Sequence, residues 1–155
     1  MATNSFIVVL DFDGTVVTHR YPAVGEDIGA VPVLKLLLKN GHKIILNTMR
    51  SQDNQGHDML TPALQWFKDK GIPLYGVNEN PDQKSWTSSP KIYGNVYIDD
   101  GALGTTLKSD ESGIPYVDWG KASIHLYLKG LLTEADIISL LQQGIIDPNS
   151  VKISS

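Results

Sequence analysis

The sequence predicts an α/β fold, a parallel sheet with helices on both faces. Short apolar, β-branched-rich runs recur at Phe6–Leu10, Lys43–Leu46, Val96–Ile98 and Ile114–Val117, the pattern of strands buried on both sides. Segments of helical periodicity lie between them, and such alternation builds a parallel sheet. Three of the runs also end in polar residues: Leu10 in Asp11, Leu46 in Asn47-Thr48, Ile98 in Asp99-Asp100. Parallel strands share one carboxyl edge, where open α/β sheets bind ligands.

The elements follow in order. Strand Phe6–Leu10 runs into Asp11-Phe12-Asp13-Gly14-Thr15, and residues 16–30, with Tyr21 and Pro22, form a small flap. Val31–Lys39 reads as a helix, with Pro32 near its start and Gly41 just beyond its end. After strand Lys43–Leu46, the residues Leu60, Ala63, Leu64 and Phe67 mark one buried helical stripe closed by Gly71. Pro62 leaves two starts open, a cap at Thr61 or a kinked earlier turn. Leu74–Val77 reads as a further short strand, and 78–92 as a polar, proline-punctuated loop. Beyond Trp119 come two helices, Ala122–Leu132 and Glu134–Gln143. Tyr127 and Leu128 are read as packing residues. Thr133 and Asp136 have capping-box spacing, Gly144 is a stop, and the tail Asp147–Ser155 is expected to fray. The organisation expected is a core over 6–119 with a C-terminal helical extension, 120–146, packed on it.

Composition narrows the classes. With 155 residues, 41% hydrophobic and 19% charged, one domain can bury a proper core. A net charge of −4 gives no reason to expect nucleic acid or an anionic membrane as partner. The chain has no cysteine, which excludes disulfides and thiolate chemistry. No apolar run reaches bilayer-spanning length, and Phe6–Leu10 is too brief for a signal-peptide core, so a cytoplasmic protein is expected. The four histidines, His19, His42, His57 and His125, lack metal-ligand spacing and are read as incidental.

The carboxyl edge carries the chemistry. It gathers Asp11, Asp13, Thr48, Asp99 and Asp100, and four clustered carboxylates repel one another. A hard cation with oxygen ligands removes the difficulty, and Mg²⁺ is the natural choice. Lys91 lies close enough before the acidic strand to reach back over the edge, with Lys84 as its competitor.

This set resembles the four motifs of the haloacid dehalogenase (HAD) superfamily, most of whose members are Mg²⁺-dependent phosphohydrolases. The first motif is Asp11-Phe12-Asp13-Gly14-Thr15, the second Thr48, the third Lys91 and the fourth Asp99-Asp100. The resemblance covers roughly residues 6–118 and implies a Rossmann-like, HAD-type core. It implies Asp11 as nucleophile, forming an aspartyl-phosphate, and Asp13 as general acid and then base. It gives Thr48 a phosphoryl hydrogen bond and Lys91 the compensating charge. Mg²⁺ would be held by Asp11, the Asp13 carbonyl and Asp100, with Asp99 nearby. Asn47 and Arg50, flanking Thr48, are assigned to the substrate, and Trp86 to stacking on a base or sugar.

The intervals between motifs leave no room for a cap domain. The open crevice then admits a large phosphorylated substrate or is closed by a neighbouring subunit in a homo-oligomer. Two rival readings stand beside the phosphohydrolase. A receiver-like signalling module expects its adjacent acidic pair early rather than late. A catalytically silent HAD-like domain used for binding would keep the same residues unused.

Overall fold

The computed structural model describes residues 4–150. Residues 1–3 and the final part of the expected frayed tail, 151–155, lie outside them. Strand β1 (Ile7–Leu10) is central, with β2 (Lys43–Leu46) on one side and β4 (Val96–Ile98) on the other. Strand β3 (Gly76–Val77) pairs with β2, all pairings are parallel, and the order is β3-β2-β1-β4. Leu10 stands opposite both Leu46 and Ile98. Asp11, Asn47 and Asp99 therefore leave the sheet at one level.

Helix α1 (Ala30–Lys39) joins β1 to β2, and α2 (Leu60–Asp69) joins β2 to β3. The chain then returns past β1 to lay down β4, so strand order reverses between β1 and β4. A crevice outside the carboxyl ends at such a switch point is the general ligand site of open α/β sheets. The order also differs from the 2-1-3-4-5 arrangement of receiver-type sheets.

Side-chain alternation divides the sheet into two faces. Val8, Leu10, Ile44 and Leu46 enter one core cluster with Leu34 and Leu37 of α1 and Phe67 of α2. That cluster also takes residues from α3 (Trp119–Leu128) and α4 (Glu134–Gln142). Val9 and Ile45 are buried outside the cluster. Their side is met by the segment around Gly94, where a Cβ would overlap Val9 Cγ2. The expectation of helices on both faces is thus met on one face. On the other, the cover is the loop 78–95, whose helical part among the described residues is the 3₁₀ turn Gln83–Ser85. Two buried amides hold this loop. Gln83 donates to the carbonyls of Ser89 (2.8 Å) and Lys91 (2.6 Å), and Asn80 donates to that of Tyr93 (3.0 Å).

Three further expectations are corrected. The run Ile114–Val117 is not a fourth parallel strand: β6 (Pro115–Val117) pairs antiparallel with β5 (Leu107–Ser109) in a separate ribbon. Helix α2 needs neither a Thr61 cap nor a kink, because Asp58 Oδ1 accepts from the N–H groups of Leu60 and Thr61. Pro62 then falls in the first turn, where no intrahelical donor is required. On α3, Tyr127 and Leu128 are exposed, and Leu126 is the buried residue there. The Thr133–Asp136 capping box is present, and Asp136 also accepts from Asn40 at 2.8 Å, tying α4 to α1. No helix among the described residues is long and apolar enough to cross a membrane.

Candidate active site

The acidic motif forms a tight loop as it leaves β1. The carbonyl of Phe12 accepts from the N–H groups of Thr15 and Val16, and Gly14 N–H donates to Val17 O at 2.8 Å. This turn faces Thr15 inward, where it is fully buried. Its Oγ1 donates to Asp11 Oδ2 at 2.8 Å and accepts from Asp100 N–H at 3.0 Å. One hydroxyl therefore fixes the spacing of the first and last acidic motifs. From behind, Trp119 Nε1–H donates to the Thr15 carbonyl at 2.7 Å. Gly14 takes φ +75°, and a Cβ there would stand 2.5 Å from Asp100 Oδ2. Glycine suits this position on both counts, since an L-residue is strained at that φ and its Cβ would push the Asp100 carboxylate aside.

Asp11, Asp99 and Asp100 each offer an oxygen, all within 4.8 Å of one another. Asp13 points elsewhere. Its two oxygens accept from Arg50 Nε–H and Nη2–H, both at 2.7 Å. The Arg50 side chain is 1% exposed, and its other three N–H groups go to the carbonyls of Pro22, Ala23 and Met59. The sequence reading assigns Arg50 to the substrate. The structure instead turns it inward with all five donors taken, pinning Asp13, the flap and the entry to α2 to one another. Rings of Phe12 and Tyr21 lie 5.1 and 5.2 Å from the guanidinium carbon.

A cavity of about 550 Å³ opens over these groups, lined by Asp11, Asp13, Thr48, Asp99 and Asp100. His19 and Tyr21 of the flap, exposed Met49 and Arg50 complete its wall. Thr48 is held by a hydrogen bond from its N–H to Asn78 Oδ1 at 2.8 Å. Asn78 adopts φ +53°, one of the few non-glycine conformations that amide side chains tolerate. Asn47 and Lys91 do not line the acidic cavity; they share a neighbouring hollow with Thr48 and Asn78. Lys91 is exposed, with Nζ 5.8 Å from the Tyr97 ring. Lys84 extends toward Glu79 at 3.8 Å and lines neither hollow. Of the two lysines, Lys91 stands nearer the acidic edge.

Burial pushes the Asp11 carboxyl up to about 7, and Asp99 and Asp100 add to the rise against the hydrogen bond from Thr15. Three carboxylates this close are ill at ease without a positive charge, and Arg50, the cation in the cavity wall, is spent on Asp13. The donor set is all oxygen, negatively charged and partly solvated, which fits a hard divalent cation such as Mg²⁺.

A search of solved structures finds a conserved protein coded by a locus from Bacteroides thetaiotaomicron. It is 32% identical, the match covers 86% of this chain and 98% of that one, and the TM-score is 0.62. The chain belongs to the family of that conserved Bacteroides protein. No family model and no curated protein matches the chain.

Sequence reasoning missed Thr15, Arg50 as the partner of Asp13, and the lining role of His19. Thr15 carried a signal, since it completes the acidic motif. His19 carried none: it reaches the cavity because the Thr18–Glu26 and Val17–Asp27 contacts fold the flap back on itself.

Proposed function

We propose that this protein is a Mg²⁺-dependent phosphohydrolase of the HAD type, without a cap domain, that cleaves phosphomonoesters through an aspartyl-phosphate at Asp11. The observation that carries the reading is the convergence of Asp11, Asp99 and Asp100 at the β1/β4 switch point, with Thr48 on the wall of the same cavity. Asp11, Asp99 and Asp100 would hold the cation, which lowers the repulsion between carboxylates and a phosphate dianion. A carboxylate oxygen of Asp11 bonds to phosphorus as the bond from phosphorus to the leaving oxygen breaks. In the step that requires it, Asp13 enters as the protonated acid and gives that oxygen its proton. The carboxylate so formed takes one from the water that releases phosphate and restores Asp11, which returns Asp13 to the acid form. Arg50 occupies one lone pair on each Asp13 oxygen, leaving the others for this proton. The Asp13 side chain keeps 15% of its surface exposed, on the cavity side. Thr48 supplies the phosphoryl group with a hydrogen bond, and Lys91, standing in the neighbouring hollow, adds positive charge from a distance to a loose transition state.

The absence of a cap in this reading rests on the connections. Residues 11–29 and 47–59 are taken up by the flap and by the approach to α2. The test is hydrolysis of p-nitrophenyl phosphate with and without Mg²⁺. Turnover that requires Mg²⁺ and is abolished in a folded Asp11→Asn variant is expected. Near-normal turnover in that variant removes the aspartyl-phosphate route. Inactivity across a broad panel of phosphomonoesters favours a silent binding domain.

A further inference from the structure

Two hollows adjoin the acidic cavity in turn, each sharing lining residues with the one before it, and the hydrolytic chemistry uses neither fully. The first, about 490 Å³, is polar; it shares Thr48 with the acidic cavity and adds Asn47, Asn78 and Lys91. The second, about 400 Å³, shares Lys91 and Tyr97 with the first and adds Trp86 and Tyr93. The three form a series, carboxylates first, then amides and an ammonium, then aromatic rings. Trp86, Tyr93 and Tyr97 are 62, 45 and 45% exposed. Large aromatic side chains are seldom left in water together without use. Trp86 and Tyr93 stand edge to face at 5.5 Å, so the pair holds one fixed shape, and Lys91 lies by the Tyr97 ring. The loop bearing them is not slack, because Gln83 and Asn80 bond its backbone at both ends.

Aromatic platforms beside a cation, in line with a phosphate site, are how proteins hold single-stranded nucleic acid: bases stack while the backbone follows the charge. We infer that the substrate is the phosphorylated end of a short single-stranded oligonucleotide. Its terminal phosphate lies over Asp11, the first nucleoside beside Asn47 and Asn78, and a following base on Trp86 and Tyr93. Lys91, lining both hollows, supplies the positive charge for the backbone between them. The net charge of −4 is compatible with this because one lysine must meet only one or two internal phosphates, whereas a long polyanion would be repelled. This inference rests on the phosphohydrolase reading for its first subsite and extends it to a substrate class.

The experiment compares p-nitrophenyl phosphate, a mononucleotide, trinucleotides phosphorylated at the 5′ or the 3′ end, and a phosphotyrosine tripeptide, all with Mg²⁺. One of the trinucleotides is expected to show the highest kcat/KM. Trp86→Ala should lower that value roughly tenfold, through KM, as expected when one base loses its aromatic platform. The same variant should leave p-nitrophenyl phosphate turnover unchanged, and Tyr93→Ala should behave alike. Equal kcat/KM for mono- and trinucleotides, a loss common to every substrate, or preference for the phosphopeptide would overturn the inference while leaving the hydrolase standing. Absence of turnover on all substrates overturns the hydrolase. In that case, quenching of Trp86 fluorescence by the trinucleotide, absent in Trp86→Phe, still supports the groove, and no quenching removes it.

Discussion

Arg50 shows how a residue two places beyond a strand-end threonine can hold the acidic motif of another strand in place. A buried guanidinium is tolerable only when every donor is met, and here two go to Asp13 and three to backbone carbonyls. Lysine, with a compact point charge, cannot reproduce that fork. Arg50→Ala leaves the Asp13 carboxylate and three carbonyls without their partner. The expected loss is about 3 kcal/mol or more, read from urea unfolding. Arg50→Lys should keep part of the stability but lower kcat more than it raises KM, since Asp13 is misplaced rather than the substrate released. A Lys variant with normal kcat would show that Asp13 needs no such anchor. Gly14 makes a separate case. Gly14→Ala sets a methyl group against Asp100 and forces an L-residue to φ +75°, so Mg²⁺ affinity and activity should fall together. Calorimetric titration with Mg²⁺ checks it, and unaltered affinity would mean that Asp100 can move away freely.

Elements were legible in proportion to how far their own residues are buried. Strands β1 and β2, with three of four residues fully buried in each, stand out from sequence. Strand β5 does not: Leu107, Lys108 and Ser109 are all exposed and become a strand only by pairing with β6. The run 114–117 misleads for the matching reason, since its apolar residues look like core although only Val117 is fully buried. Helix α3 begins at Trp119, ahead of the run Ala122–Leu132 that the sequence predicts, because Asp118 caps it by accepting from Lys121 N–H at 3.1 Å. Candidate site residues on strand ends were legible, because β-register fixes them; side-chain partners far apart in sequence, such as Arg50 with Asp13 or Trp119 with Thr15, were not. At the C-terminus, the capping box makes a local prediction. Thr133→Ala removes the acceptor for the Asp136 N–H and should cost about 1 kcal/mol. Asp136→Ala should cost more, because it removes the acceptor both for the Thr133 N–H and for the Asn40 amide at the end of α1, which then keeps only its bond to the Leu131 carbonyl. Thermal melts of the two variants give the order, and a smaller loss for Asp136→Ala would show that the α1–α4 tie contributes little.

At the scale of the whole molecule, the acidic cluster couples folding to protons and, on the proposed function, to a divalent cation. Asp11 lies near 3.8 when unfolded and is pushed up to about 7 in the fold by burial and by its acidic neighbours. The folded state thus binds the Asp11 proton more tightly than the unfolded chain does. Stability from this group is fully present below pH 4 and lost as pH rises toward 7, flat beyond it. A divalent cation acts in the opposite sense, since it binds the deprotonated carboxylate and stabilises the native state by mass action. The increase in Tm on adding millimolar Mg²⁺ should therefore be small near about pH 5 and larger near about pH 8. In Asp11→Asn the pH dependence between these values should flatten, while Asp99 and Asp100 retain at most a weak response to the metal. Melts recorded in EDTA and in Mg²⁺ at both pH values decide the matter. A Tm increment independent of pH would mean that Asp11 takes no part in holding the cation, and with it the nucleophile and the metal site would no longer be one assembly.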